Sequence, residues 1–140
     1  MSPDGVYRES ATITFEQRIP ESDKWKYQGK TVMLIDERAI SQSEHTGLFF
    51  EAANNTKFIG SNSNGANGDV TNFFVPGGIR ISFSGHNVKH IDGRQLQRVG
   101  LAPHVEVKPT IKGIQSGRDE VLEKAHEYLN RQVDDGKIKQ

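Results

Sequence analysis

Apolar residues follow one another in two patterns along the chain, one typical of strands and one typical of helices. Val32 to Ile35 is a continuous apolar run, as in a strand that is covered on both faces. A polar turn follows, and from Ser41 onward apolar residues recur at the spacing of a helix. These residues are Leu48, Phe49, Ala52 and Ala53. A strand, a turn and a helix that ends at Asn54-Asn55 are therefore predicted in direct succession.

The middle and the end of the chain predict a hairpin and a second helix. Val70 to Val75 and Ile79 to Phe83 flank the turn sequence Pro76-Gly77-Gly78, which indicates the two arms of a hairpin. Residues 105–107 predict a short strand. Ser116 is predicted to cap a helix whose buried face carries Val121, Leu122, Ala125, Tyr128, Leu129 and Gln132. Alternating strands and helices with a central hairpin indicate an α/β fold with a mixed sheet.

The length of 140 residues predicts one folded domain with looser ends. Residues 1–29 are interpreted as a leader that includes a first strand at Ala11 to Phe15. Residues 30–132 are the predicted core. Residues 133–140 are predicted to form a flexible tail.

Composition limits the classes of partner. The chain carries 18 basic and 18 acidic residues, so its formal net charge is zero, and no basic stripe interleaved with aromatics predicts nucleic-acid binding. No apolar run is long enough to span a membrane, and the first residues lack the basic start and apolar core of a signal peptide. The absence of cysteine excludes disulfides but leaves the cellular location unknown.

The histidines and acidic residues predict neither a metal site nor a cofactor site. His86, His90, Asp92 and His104 match no zinc-ligand spacing, so turn and surface roles are the better interpretation. Segment 61–69, rich in asparagine and glycine, lacks the carboxylates of a calcium loop and the glycine spacing of a phosphate-binding loop.

The candidate chemistry lies at the start of the first helix. Ser41-Gln42-Ser43-Glu44 has the spacing of a capping box, with serine at the N-cap and glutamate three residues later. The same layout of strand, turn and serine also exposes a nucleophilic hydroxyl beside a helix N-terminus, whose free N–H groups and partial positive charge favour an oxyanion. The spacing alone fits both interpretations.

Four stretches in register resemble the C-terminal processing (tail-specific) serine peptidases, which are related to the tricorn core and to the modules of interphotoreceptor retinoid-binding protein. The first is the apolar strand with Ser41 to Glu44 before a helix. The second and third are the strand Lys57 to Gly60 and the glycine-rich loop 61–69. The fourth runs from Asp92-Gly93 to Gly100-Leu101-Ala102-Pro103 and is similar to the family's Asp-Gly…Gly-(Val/Ile)-x-Pro-Asp signature.

The resemblance covers about residues 30 to 130 and implies the C-terminal part of a ClpP/crotonase-like peptidase core. It places the nucleophile at Ser41 and one oxyanion donor at the backbone amide of Gln42, while the second donor would come from the upstream part of the same core. Many family members carry a lysine base in the glycine-rich loop, where this chain has Ala66. The tricorn-like branch uses an upstream histidine and a late glutamate, and Gln97 stands at that glutamate position as a candidate orienting residue.

A local base would have to come from the nucleophile helix. His45 lies four residues after Ser41 and is a candidate base, but it also continues the face of Leu48 and Phe49, as a half-buried structural histidine would. The family's Pro-Asp is Pro103-His104 in this chain, a further departure from the pattern.

These residues are compatible with three functions. The leading one is a serine peptidase domain that cleaves peptides or the C-terminal ends of unfolded proteins through Ser41, with the loop 61–69 as an irregular, mobile wall of the cleft. The chain alone is expected to be inactive because its base is not in the matched segment. The alternative is a non-catalytic module of the same fold that binds a peptide or an apolar ligand, and the third is an assembly domain that completes another chain's core. Members of the family that the chain resembles are often exported, while the location of this chain stays unknown.

Overall fold

The computed structural model describes residues 14–137, with side chains as far as residue 132. Within that range the elements are β1 (Val32–Ile35), α1 (Gln42–Asn54), β2 (Lys57–Gly60), β3 (Val70–Val75), β4 (Ile79–Ser84), β5 (Val105–Glu106), α2 (Ile111–Gln115) and α3 (Glu120–Lys137). No helix between residues 14 and 137 is both long enough and apolar enough to cross a membrane.

A three-stranded parallel sheet places the site. Its strand order is β1-β2-β5, and Ile35 at the end of β1 lies opposite Gly60 at the end of β2. Parallel strands put their carboxyl ends at one edge of the sheet, where ligand sites of α/β folds occur. The turn that contains Ser41 follows β1 and the loop 61–69 follows β2, so both leave the sheet from this edge.

The core lies between this sheet, α1 and the segment that leads into β5. Ile35, Phe58, Leu96 and Leu101 form its buried cluster, and partly buried Met33, Leu48 and Val88 pack against it. Gly47 allows α1 to approach closely, because a Cβ at that position would stand 2.5 Å from the Leu101 Cδ1. Helix α3 contacts β1 and β2 and buries Ala125.

The predicted hairpin and the mixed α/β fold are confirmed. Strands β3 and β4 pair antiparallel around Pro76-Gly77-Gly78, with Phe73 opposite Ile81 and Thr71 opposite Phe83. Alternation along each strand puts Phe73, Val75, Ile79, Ile81 and Phe83 on one face of the hairpin.

The predicted buried face of α1 is only partly right. Leu48 and Phe49 are half-buried, but Ala52 and Ala53 are exposed. The fully buried residues of the helix are Glu44 and Gly47. The apolar spacing missed them because one is a glycine and the other a charged side chain whose hydrogen-bond partners lie far along the sequence.

The predicted start of the C-terminal helix is wrong. Ser116 is the C-cap of the short helix α2, and Gly117 has a φ of 68°, which ends that helix in the left-handed region. Helix α3 starts later, where the Asp119 carboxylate accepts a hydrogen bond from the Leu122 N–H at 2.9 Å. Of the predicted buried face, Ala125 is buried, and Leu122 is 43% exposed.

Three weaker predictions fall at the ends and in a loop. Residues 11–13 of the predicted first strand lie outside the described residues, and Thr14 and Phe15 are in no strand. Segment 85–90, for which the sequence predicts a further short strand, forms only an isolated bridge between Lys89 and Gln95. The backbone of α3 continues to Lys137, so the first part of the predicted tail is helical, and residues 138–140 lie outside the described range.

Candidate active site

Ser41 sits in a sharp turn between β1 and α1. Its φ of 53° and ψ of −109° lie in a region that L-residues rarely adopt. The Ser43 N–H donates to the Ile40 oxygen at 3.1 Å, which closes a β-turn around Ser41. These values match the first central position of a type II′ turn, at about +60° and −120°, where glycine is the usual residue. The Ser41 side chain is exposed at this turn.

This geometry differs from that of an ordinary helix cap. An N-cap residue normally has an extended backbone, and its side chain accepts a hydrogen bond from the first turn. Both halves of the predicted capping box are present, since the Ser41 side chain faces the Glu44 N–H and the Ser41 N–H donates to the Glu44 Oε2 at 3.2 Å, but the φ of Ser41 is positive where an ordinary cap is extended. Strain of about 1–3 kcal/mol at such a residue persists only where the surroundings hold it in place.

The loop 61–69 lies over this turn. The Ser41 N–H donates to the Ala66 oxygen at 3.0 Å, and the Asn64 N–H donates to the Ala39 oxygen at 2.9 Å. Ala66 occupies the position of the lysine that the resemblance implied, so the loop meets Ser41 there through its backbone and supplies no amine.

The loop is irregular, as predicted, but its packing favours order over the predicted mobility. Its alternate residues Ser61, Ser63, Gly65 and Asn67 are buried. Ser61 N–H donates to the Ile35 oxygen at 3.0 Å, and the Ser63 N–H donates to the Leu101 oxygen at 3.2 Å. Buried, hydrogen-bonded backbone opens rarely. The sequence missed this because the loop's buried residues are small and polar.

The Glu44 carboxylate connects the turn to the loop. It is fully buried, and besides the Ser41 N–H it accepts hydrogen bonds from the Ser63 Oγ at 2.5 Å and from the Gly65 N–H at 2.6 Å. The sequence indicated only the capping half of this role. The partners in the loop were not predictable from local spacing.

The backbone amide of Gln42 fits the predicted oxyanion position. Gln42 is the first residue of α1, and its N–H makes no hydrogen bond with any described residue. The partial positive charge of a helix N-terminus adds to the attraction of this N–H for a developing oxyanion. The residue itself is exposed.

His45 does not face Ser41. Its Nε2 pairs with the Gln17 Oε1 at 2.5 Å, and its Nδ1 lies 3.4 Å from the Asn67 amide nitrogen. The ring also packs edge-on against Phe49, with 5.0 Å between centroids. These contacts favour the structural interpretation of His45. Within the described residues, no imidazole, amine or carboxylate is hydrogen-bonded to the Ser41 hydroxyl.

Gln97 presents an unpaired acceptor close to the loop. Its Oε1 is buried and has no hydrogen-bond partner among the described residues. The next residue, Arg98, has a φ of 65° and donates its N–H to the Gly65 oxygen at 2.6 Å, which places this segment against the loop over Ser41. A buried amide oxygen without a partner costs free energy, so Gln97 is suited to accept a donor from another segment.

A separate cluster of titratable groups lies around Glu51. The Glu51 carboxylate binds His90 Nδ1 at 2.6 Å and Arg94 at 2.8 Å. Burial opposes its ionisation, but the hydrogen bonds from His90 and Arg94 outweigh burial and hold the pKa of Glu51 below its usual range. Burial, with a smaller contribution from Lys57, lowers the pKa of His104, whose Nδ1 accepts the Phe58 N–H at 3.0 Å. No three metal-binding side chains converge within residues 14–137.

Solved structures of peptidases share this fold. A putative peptidase from Parabacteroides merdae ATCC 43184 is 21% identical with a TM-score of 0.70, and the match covers 77% of this chain and 34% of that one. The tricorn protease is 19% identical with a TM-score of 0.62, covering 84% and 13%. Mature CPAF complexed with lactacystin is 21% identical with a TM-score of 0.58, covering 79% and 20%. The chain thus spans about a third or less of these relatives.

A comparison with curated protein sequences finds no significant match. The structural likenesses, all at low identity, establish the fold that the resemblance implied. The family model of peptidase family S41 matches residues 4–107, which is most of the chain, and confirms the predicted resemblance to the C-terminal processing peptidases. The chain belongs to peptidase family S41.

Proposed function

We propose that this chain supplies the nucleophile side of a serine peptidase site, with Ser41 as the nucleophile. The observation that carries the proposal is the backbone of Ser41, which is strained and exposed at the junction of a strand and a helix. Strained residues cluster at active sites, and a sharp strand-to-helix turn is how other hydrolases expose a nucleophilic serine. An ordinary cap has no need of such a backbone.

The reaction assigned to the site is acyl transfer. The Ser41 Oγ attacks the carbonyl carbon of a peptide bond while its proton passes to a base, and the resulting oxyanion is bound by the Gln42 N–H and a second donor. The peptide C–N bond then breaks as the leaving nitrogen takes a proton, and water hydrolyses the acyl-enzyme. Gln97 orients a donor group of the base by hydrogen bonding through its unpaired Oε1.

The base and the second oxyanion donor are assigned to another part of the peptidase core. Within the described residues Ala66 stands at the lysine position and His45 is bound to Gln17. A serine hydroxyl without a base attacks slowly, and general-base catalysis contributes about 10²–10⁴-fold. The proposed substrates are peptides and the C-terminal ends of unfolded proteins, in keeping with the family resemblance.

The test uses this chain continued at its N-terminus by the upstream part of the peptidase core, called the extended protein below. An unstructured fluorogenic peptide should be hydrolysed by the extended protein and not by its Ser41→Ala variant. Ser43→Ala is the matched control, since Ser43 lies two residues away in the first turn of α1. Hydrolysis that survives Ser41→Ala, or is lost equally in Ser43→Ala, would refute the assignment of the nucleophile.

A further inference from the structure

Glu44 makes more hydrogen bonds than capping requires. Its side chain is 0% exposed, and the carboxylate accepts three hydrogen bonds. A capping glutamate needs only the one from the N-cap N–H. The other two come from Ser63 and Gly65, about twenty residues further along the chain.

These hydrogen bonds close a ring around Ser41. Glu44 Oε2 accepts the Ser41 N–H, Glu44 Oε1 accepts the Gly65 N–H, and the next residue in the loop, Ala66, accepts the Ser41 N–H through its oxygen. The turn and the loop are therefore fixed relative to each other at both ends of one carboxylate. Surroundings that determine a backbone this fully are what a strained φ requires in order to persist.

The loop end of the ring is itself held in place. The Ser63 Oγ, which donates to Glu44, accepts the Leu101 N–H at 2.7 Å. The Gly65 oxygen accepts the Arg98 N–H at 2.6 Å, and a Cβ on Gly65 would stand 2.9 Å from the Gly100 nitrogen. The loop cannot shift away from Ser41 without breaking these contacts to the core.

We propose that Glu44 is a positioning residue of the active site: it holds Ser41 in its strained conformation and keeps the loop 61–69 in register over it. The proposal rests on the proposed function, because positioning matters for chemistry only if Ser41 is the nucleophile. Glu44 acts through the Ser41 backbone and touches no reacting atom. Its loss changes the presentation of the hydroxyl and leaves the chemistry of the hydroxyl unchanged.

Glu44→Gln is the sharpest variant, since it keeps the size of the side chain. A glutamine has one acceptor oxygen and one NH₂ donor, whereas the Ser41 and Gly65 N–H groups both need an acceptor. Turned one way, the amide leaves the Gly65 N–H without an acceptor; turned the other way, it presents its NH₂ to the Ser41 N–H, which keeps only the Ala66 oxygen. Ser63→Ala is the second variant, which removes a loop contact and leaves the Ser41 contact intact. Thr110→Ala is the control, because it removes a cap from α2 far along the chain.

The first measurement is amide hydrogen exchange by NMR on the 140-residue chain. Glu44→Gln should speed exchange at the Ser41 or the Gly65 N–H by about tenfold relative to the parent and shift the Ser41 ¹³Cα and ¹³Cβ signals, since one of the two backbone hydrogen bonds to the carboxylate is lost. Thr110→Ala should leave both unchanged at Ser41. Unchanged exchange at both the Ser41 and the Gly65 N–H, with unchanged ¹³C shifts at Ser41, in a folded Glu44→Gln variant would overturn the proposal.

The second measurement is the labelling of Ser41 by a fluorophosphonate in the extended protein. Glu44→Gln should lower the maximal labelling rate by on the order of tenfold or more while the half-saturating probe concentration stays constant, because the hydroxyl is misplaced. Thr110→Ala should label at the parent rate despite its lower melting temperature. Labelling of Glu44→Gln at the parent rate would refute Glu44's role and leave the nucleophile assignment standing.

Two further outcomes are decided by the same experiments. If the parent extended protein is not labelled, the proposed function fails, and the claim that Glu44 holds the Ser41 turn is then judged by the exchange and chemical-shift data alone. If Glu44→Gln does not fold, Ser63→Ala takes its place. It should slow labelling by about threefold through the loop, and a parent rate in Ser63→Ala would count against the proposal.

Discussion

Two helices of this chain start at a hydroxyl residue, and the two starts are built differently. Thr110 precedes α2 with an extended backbone, φ −97° and ψ 153°, and its side chain accepts the Gly113 N–H at 2.9 Å. Ser41 precedes α1 with a φ of 53° and a ψ of −109°. The extended backbone and side-chain hydrogen bond of Thr110 are those of an ordinary N-cap. The positive φ of Ser41 departs from that pattern, and this departure is what the proposed role as nucleophile rests on.

The hydrogen-bond partners of Thr110 and Ser41 also differ, and those of Ser41 restrain it more. Thr110 is exposed, and its N–H and hydroxyl are bound by the carboxylate of Glu120 at the surface. The Ser41 N–H is bound by the buried Glu44 carboxylate and by the Ala66 oxygen of the loop 61–69. A strained backbone thus coincides with the more extensive set of restraints, as expected where strain serves a function.

The largest expected difference between the two regions is in amide exchange. The Gly65 N–H, bound to a buried carboxylate, should exchange on the order of 100-fold more slowly than the Thr110 N–H, which is bound at the surface. Hydrogen exchange followed by NMR measures both amides in one sample. Exchange at Gly65 as fast as at Thr110 would support the prediction that the loop 61–69 is mobile.

Glycine substitutions should change stability in opposite directions at the two sites. Ser41→Gly relieves a strain of about 1–3 kcal/mol and loses about 0.5–1 kcal/mol to backbone entropy, so a net gain of about 1 kcal/mol is expected. Thr110→Gly relieves no strain and should cost about 0.5 kcal/mol. Denaturant midpoints compare the two variants with the parent. A loss of stability in Ser41→Gly would mean that the Ser41 turn is not strained.

Alanine substitutions should show that the Thr110 hydroxyl contributes more to stability than the Ser41 hydroxyl. Thr110→Ala removes a cap hydrogen bond and should cost about 1 kcal/mol in the free energy of unfolding. Ser41→Ala keeps the strained backbone and removes a hydroxyl whose capping-box contact is weaker than the cap hydrogen bond of Thr110, so a change within about 0.5 kcal/mol is expected. Equal losses in the two variants, measured by chemical denaturation, would indicate that Ser41 is an ordinary cap.

Acidification should lower the stability of the whole fold slightly without changing the difference between the two sites. Burial depresses the pKa of His104 below its usual 6.5, so the neutral form is favoured by folding. Its contribution is therefore present above pH 6.5 and is lost as the pH falls through the lower folded pKa. Between about pH 7.5 and about pH 5.5, the free energy of unfolding should fall slightly, as measured by denaturant midpoints.

The control for that titration is the glycine pair. The gap in unfolding free energy between Ser41→Gly and Thr110→Gly should stay constant over the same pH range, since His104 binds the Phe58 N–H and neither turn. His104→Gln should remove most of the pH dependence. A drop of equal size in His104→Gln would assign the titration to other groups.

Much of the fold could be predicted from apolar patterning, and the failures have physical causes. The hairpin at β3 and β4 was predicted because both strands alternate around a turn rich in glycine. The start of α3 was misplaced because the sequence around Ser116 fits the start of one helix and the end of another equally well. The positive φ of Gly117 shows that a helix ends there.

The site was predictable in position but not in conformation. The residues around Ser41 indicated a strand, a turn and a helix. A serine residue does not by itself predict a positive φ, because that conformation depends on restraints from distant residues. The same holds for Glu44, whose partners Ser63 and Gly65 come from the loop after β2. His45 had a suitable spacing, but its direction is set by Gln17 and Asn67.

The central claim is that Ser41 is a presented nucleophile whose base lies in another segment of the core. The most direct measurement is fluorophosphonate labelling of the 140-residue chain and of the extended protein, with the adduct located by mass spectrometry. We expect an adduct on Ser41 of the extended protein that forms about 100-fold faster than on the 140-residue chain. Equally rapid labelling of both chains would show that the base is local, and an adduct on neither would show that Ser41 is not the nucleophile.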